Sequence, residues 1–212
     1  MKVRFFLIIL GIDPGIVVTG YGIIQNTGRI SKLLVCGCIK PDRKLPFEKR
    51  LSRIYTGMLE VVSDVSPDEV ALESVFYGPN VQTLVKMSHA RGVIMLALAN
   101  SNLSIFEYSP REVKKAVVGR GGASKEQVQF MIRRLIKADQ IPEALDVSDS
   151  IAVALCHLHR SKSQLKIPPK KGNLEEKLRA VGAFSRQSSG LREKLREVVG
   201  DEAGTLKIKR KG

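Results

Sequence analysis

Phe5-Phe6-Leu7-Ile8-Ile9-Leu10-Gly11-Ile12-Asp13-Pro14-Gly15 is the stretch whose reading decides the fold. An apolar run from Phe5 to Leu10 leads to a carboxylate, and Pro14-Gly15 then turns the chain. Such a run suits a strand covered on both faces, and Pro-Gly ends it. Asp13 is thereby presented at the end of a central strand, where ligands and chemistry gather in open α/β sheets.

Working outward, Thr19 to Gln25 (T-G-Y-G-I-I-Q) reads as a second strand, its glycines permitting close backbone approach or a bulge. Asn26-Thr27-Gly28 is a turn and Ile30 to Ile39 a third strand, so the first three strands form an antiparallel meander. After the charged connection Pro41 to Pro46, the spacing of Leu51, Ile54, Tyr55, Met58, Leu59 and Val62 predicts a helix over Phe47 to Val65. Ser66-Pro67-Asp68 breaks it. Glu69-Val70-Ala71-Leu72-Glu73 is a short fourth strand ending on a second carboxylate; laid beside the first strand, it points Glu73 at Asp13.

Gln82 to Asn100 is a second helix with apolar residues almost all round: Leu84, Val85, Met87, Ala90, Val93, Ile94, Leu96 and Leu98. Such a helix is deeply buried or shared with another subunit, and the sequence alone favours burial. Leu103 to Tyr108 is the fifth strand. Ser109-Pro110-Arg111-Glu112 opens a short helix with Ser as N-cap, Pro at the first position and Glu at the third. It ends in the loop Gly119-Arg120-Gly121-Gly122, and Ser124 caps a further helix to Lys137. The last core helix runs from Leu145 to His159 on the apolar stripe Val147, Ile151, Ala154 and Leu155, with Asp146 and Asp149 in its first turns. The expectation is an α/β domain over residues 1–163, a mixed five-stranded sheet flanked by helices, followed by a basic extension, 164–212.

That extension carries a kinked basic linker (Pro168-Pro169-Lys170-Lys171-Gly172), two short amphipathic helices (Leu174 to Val181 and Gly190 to Val199) and a basic end, Lys207 to Lys211. From Arg160 to Gly212 there are 15 basic and 6 acidic residues within a chain whose formal charge is +14. Both parts of the chain are positive, which favours a polyanionic partner such as nucleic acid over an anionic membrane surface or a merely solubilising charge. Hydrophobic residues make up 43% of the 212, a globular composition. Cys36, Cys38 and Cys156 make no even disulfide framework. A zinc site with His157 and His159 is conceivable, but CxxC and HxxxH spacings are missing, so small buried residues in a reducing, cytoplasmic setting are the better account. Lys2 and Arg4 before an apolar run resemble a signal peptide, yet Asp-Pro-Gly follows rather than a small-residue cleavage site. No stretch approaches the roughly 18–20 apolar residues of a membrane span, so a soluble, unexported protein is expected.

Asp146 and Asp149, three apart, share one face of their helix, about 5–6 Å apart at Cβ. The plain reading of such a pair is an acidic first turn on a surface helix. Asp13 and Glu73, however, each end an apolar strand, where an unpaired acid is expensive. Four acids converging at one sheet edge destabilise the fold unless cations neutralise them, and magnesium or manganese suit oxygen ligands. Two such ions about 3.5–4 Å apart clamp the attacking and leaving oxygens of a phosphodiester. Without His or Cys in the set, zinc is disfavoured.

With these residues in place, the chain resembles the RuvC-type Holliday-junction endonucleases of the RNase H-like superfamily. The matching segments are G-I-D-P-G-x-x-x-T-G-Y-G (Gly11 to Gly22), A-L-E-S-V-F (Ala71 to Phe76) and A-R-G-V (Ala90 to Val93). They continue with V-K-x-x-V-V-G-x-G-x-A-x-K-x-Q-V-Q (Val113 to Gln129, with one added glycine) and D-x-x-D-S-I-A-V-A-L-C-H (Asp146 to His157). The resemblance implies an RNase H-like sheet and a magnesium-dependent nuclease, two ions per site with manganese as a substitute, that cuts opposed strands of a four-way junction during recombination and repair. It implies catalytic and metal-binding roles for Asp13, Glu73, Asp146 and Asp149. Lys114 and Lys125 match basic positions near the scissile backbone, and phosphate positioning and plain surface solvation are both open for them. Phe76 matches an aromatic placed near the junction crossover, with core packing as its alternative. Arg120, the cation of the glycine loop, is grouped with these as a DNA contact. A homodimer is implied, giving the all-round apolar helix near Met87, Ile94 and Leu98 a role as subunit contact. A branch-migration motor is a further possible partner. The added glycine at Gly121-Gly122 and the extension depart from the family pattern.

Another RNase H-like nuclease acting on RNA or other branched DNA is the nearest alternative. A non-catalytic DNA-binding scaffold conflicts with the presence of all four acids. A sugar-kinase or actin-like phosphotransferase needs a second domain and phosphate loop, for which 212 residues leave no room.

Overall fold

The computed structural model describes residues 6–28, 30–75, 80–136 and 145–164, with residues 145, 146 and 162–164 described through their backbone alone. Five strands, β1 (Leu7–Asp13), β2 (Thr19–Asn26), β3 (Ser31–Ile39), β4 (Glu69–Glu73) and β5 (Ile105–Tyr108), form one sheet in the order β3-β2-β1-β4-β5. The meander is present, β1–β2 and β2–β3 both pairing antiparallel. β4 and β5 then add parallel to β1 on its other side. The crossover that makes β4 parallel is α1 (Phe47–Val65), and α2 (Val81–Asn100) makes the second. On the opposite face lie α3 (Pro110–Val118), α4 (Lys125–Leu135) and α5 (Leu145–Gln164).

Alternation along each strand divides the core in two. Ile8, Leu10 and Ile12 of β1, Tyr21 and Ile23 of β2, and Val70 and Leu72 of β4 pack under α1 and α2. Ile9, Ile24 and Ala71 face the other way, toward α5. The sheet is thus covered on both faces, as the apolar run of β1 requires.

Helix α5 is buried nearly all round from Ser150 to Leu158, well beyond the four-residue stripe expected of it. Its close approach has a local cause. Gly11 pairs with Gly22 on β2 and with Ala71 on β4, a transverse row of small residues across three strands. A Cβ on Gly11 would collide with the carbonyl oxygen of Ser150 and stand 2.6 Å from the amide nitrogen of Ala154. A Cβ on Gly22 would stand 2.6 Å from Ile151 Cγ1. The glycine of β2 read as a place of close approach serves that end; Gly11 does so as well.

Both predicted caps are present. Ser109 forms a capping box with Glu112, and Ser124 one with Gln127. The Ser109 bonds hold the Glu112 carboxyl below its ordinary range.

Helix α2 corrects two expectations. Simple burial fails, because Val81, Val85 and Leu96 are exposed. Ile94 and Leu98, grouped with Met87 as a subunit contact, are fully buried in this chain's own core and unavailable to a partner. A helix packed on one side of a sheet can bury only one stripe, here Ala90, Ile94, Ala97 and Leu98. Among the cysteines, Cys156 is buried, whereas Cys36 and Cys38 on β3 are only half-buried. Among the described residues, no helix is long and apolar enough to cross a membrane. The division expected at residues 163 and 164 falls at the limit of the described residues, and the extension beyond Gln164 lies outside them.

Candidate active site

Side-chain parity places the first two acids. Asp13 is two residues beyond Gly11, and Glu73 two beyond Ala71, so both lie on the α5 side of the sheet. β1 and β4 are parallel and in register through Ile12 and Leu72, which brings Asp13 and Glu73 to the same sheet end. The turn after β1 is clamped by Thr19, fully buried, whose hydroxyl donates to the Gly15 carbonyl at 2.7 Å and accepts from the Gly15 amide at 3.3 Å. The sequence offers Thr19 only as the start of β2; a hydroxyl residue just past the Asp-Pro-Gly turn is the signal for this clamp.

The third acid comes from α5. Asp149 sits near the start of the helix, and its carboxylate accepts from Lys125 Nζ at 2.9 Å. Burial raises the Glu73 carboxyl to about 8, and the negative charges of Asp13 and Asp149 push the same way. Lys125 and Lys114 act in opposition, lowering it. All five groups therefore act on one small region, because such effects fade with distance.

Asp13 and Asp149 are thus both near enough to Glu73 to raise its carboxyl. Asp146 lies in the first turn of α5, but its side chain is outside the described residues, as is all of Phe76. Lys114, half-buried on α3, faces the acids. Lys125 is engaged with Asp149 rather than standing as an independent surface cation. Arg120 is exposed, and its guanidinium donates to Gln127 Oε1 at 3.1 Å. Among the described residues, no group of three or more His, Cys, Asp or Glu side chains is drawn tightly enough to cage an ion as it stands.

A second polar group forms around His157, which the sequence offers only as a conceivable zinc ligand. His157, buried on α5, lies 2.7 Å from both Tyr108 Oη and Glu69 Oε2. The available signal was a histidine inside an otherwise apolar helix facing Glu69, a strand acid of the same parity as Glu73.

A mixed sheet of this order, with helices on both faces, is an RNase H-like fold. A family model described as crossover junction endodeoxyribonuclease RuvC matches residues 9–157, and the chain belongs to that family. The crossover junction endodeoxyribonuclease RuvC of Desulforamulus reducens is 41% identical over 157 residues, covering 74% of this chain and 96% of the relative. That of Natranaerobius thermophilus is 46% identical over 151 residues, with 71% and 94% coverage. Among solved structures, T. thermophilus RuvC in complex with Holliday junction substrate superposes with a TM-score of 0.71 at 30% identity, over 74% of this chain and 96% of that one.

Proposed function

We propose that the protein is a structure-selective endonuclease that resolves four-way DNA junctions by paired phosphodiester cleavage. The observation that carries this is the meeting of Asp13, Glu73 and Asp149 at one sheet end, beside Lys114 and Lys125. Membership of the RuvC family supports the substrate class, and the junction-bound relative supports the mode of binding.

The acids suit a divalent cation of the magnesium type. Their donors are all oxygen, and the raised Glu73 carboxyl marks a region overcharged with carboxylates. Asp13 and Glu73 would hold ions from the strand ends, and Asp146 and Asp149 from the helix. When bound, two magnesium or manganese ions supply positive charge to the attacking water and the departing 3′ oxygen. The chain's own residues do the placing. β1 and β4 fix two carboxylates on a rigid sheet, α5 brings Asp149 across it, and Asp146 would join from the same helix. Lys125 exchanges its hold on Asp149 for a phosphate oxygen, while Lys114 stands beside the scissile backbone. Phe76 follows Glu73 in sequence and would stack on an unpaired base at the crossover; Arg120 contacts an arm phosphate.

A two-fold dimer matches a junction cut at two opposed strands. The exposed Val81, Val85 and Leu96 of α2 offer its apolar contact in place of Ile94 and Leu98. A branch-migration motor would act on the same junction, and three thiols without an even framework suit the cytoplasm.

The test compares a synthetic four-way junction, a linear duplex and an RNA–DNA hybrid, each with magnesium and with excess chelator. Paired nicking of the junction alone, abolished by chelator, is the expected result. Preferential cleavage of the hybrid would move the protein to another RNase H-like activity. Junction binding with no cleavage in magnesium would make it a scaffold.

A further inference from the structure

His157 has no part in the chemistry above, yet both of its ring nitrogens are engaged. It is 2% exposed. Because a carboxylate oxygen only accepts, Nε2 carries the ring hydrogen and donates to Glu69 at 2.7 Å. In the neutral ring Nδ1 then accepts from the Tyr108 hydroxyl, also at 2.7 Å. Burial pushes that hydroxyl up to about 12, so it retains the proton it donates. Phe106 covers the ring, with centroids 4.5 Å apart. One α5 side chain is thus tied to β4 and β5 at once.

The position of this tie gives it a consequence for the acids. Glu69 and Glu73 lie on the same face of β4, four residues or about 13 Å apart. His157 and Asp149 are eight residues apart on α5, or about 12 Å along its axis. Strand and helix therefore run as two rails of nearly equal length. They are bonded at one end through Glu69 and His157, and they bring Glu73 and Asp149 into range at the other. Position 146 precedes His157 by eleven residues, close to three full turns, and so falls on the same side of the helix.

We propose that the Tyr108–His157–Glu69 group is a register lock that sets the height of α5 on the sheet, and so places Asp149 and the backbone of position 146 relative to Asp13 and Glu73. His157 is a positioning residue of the acid site; the inference rests on the reading of those four acids as cation ligands. The glycine row lets α5 come close, but apolar packing is non-directional and tolerates sliding. Two short, oppositely directed hydrogen bonds do not, because they weaken steeply once stretched or bent. Cation ligands need placement within about 0.2 Å, so a small slip of α5 is felt at the site.

The test measures manganese binding by electron paramagnetic resonance on the full chain, alongside thermal unfolding and metal-free junction binding. His157→Leu should bind manganese about tenfold more weakly, the order expected for losing an outer partner of a metal site, with metal-free junction affinity unchanged. His157→Gln, whose amide can donate to Glu69 and accept from Tyr108, should recover most of the loss. Tyr108→Phe, which removes one bond without opening a large cavity, should fall between. A residue that only stabilises the fold would lower the melting temperature of His157→Leu and leave manganese affinity at the wild-type value, which overturns the lock. Should His157→Leu fail to fold, wild-type affinity in Tyr108→Phe overturns it equally. Asp149→Asn separates the two readings. Loss there with retention in the lock variants sinks the lock alone, whereas retention in Asp149→Asn removes the cation reading beneath both.

Discussion

At the residue scale, Glu73 makes the site measurable before any DNA is added. Its carboxyl stands at about 8 against an ordinary 4.5, through burial first and then through Asp13 and Asp149. A carboxyl raised on folding favours the folded state while protonated. The contribution is complete below the unfolded value, and it is lost as pH climbs through the folded one. In excess chelator, the midpoint of urea unfolding should therefore fall between about pH 5 and pH 8, and Glu73→Gln should flatten that fall. A wild-type midpoint constant across the window would show that Glu73 is not crowded by its neighbours. The sequence made Asp13 and Glu73 legible because each ends an apolar strand before a turn, a pattern that needs no knowledge of the fold. It gave Thr19 no part beyond opening β2 and His157 none beyond a conceivable zinc ligand, because a hydroxyl clamp and a buried hydrogen-bonded histidine look like ordinary polar residues until their partners are placed.

At the scale of elements, the fit of α5 on β1 sets how closely Asp149 approaches the strand acids. The nearest atoms to a Cβ on Gly11 are backbone, the Ser150 carbonyl and the Ala154 amide, which cannot swing aside. At Gly22 the nearest atom is a side-chain carbon of Ile151, which can rotate, although backbone follows at 3.1 Å. Gly11→Ala should thus cost about 3 kcal/mol or more and Gly22→Ala about 1–2 kcal/mol, read from urea unfolding. Equal, small losses would mean that α5 does not rest on this row. The meander, the limits of α1 and the capping box at Ser109 could be read from periodicity and cap chemistry, whereas α5 runs on to Gln164, past the His159 expected of it. How deeply α5 sits could not be read. Gly11 looked like part of a turn motif, and its second use appears only when Gly22 and Ala71 line up beside it. Helix α2 misled for a related reason, since apolar content does not say which side of a helix the sheet will cover.

At the scale of the molecule, the formal charge of +14 and an apolar face left exposed on α2 are the features that a lone domain does not use. The family model ends at residue 157, so the basic extension is this chain's addition to the matched region. We propose that it binds junction arms through their phosphates. Deleting residues 164–212 should then weaken junction binding and reduce the slope of log affinity against log salt. An unchanged slope would leave the extension without that role. The central claim remains that Asp13 organises a cation-dependent nuclease site. Asp13→Asn keeps the size of the side chain and removes its charge, so the most direct measurement is this variant's cleavage of a four-way junction in magnesium, alongside its binding to the same junction. The account predicts that cleavage disappears while binding persists; cleavage at the wild-type rate would contradict it.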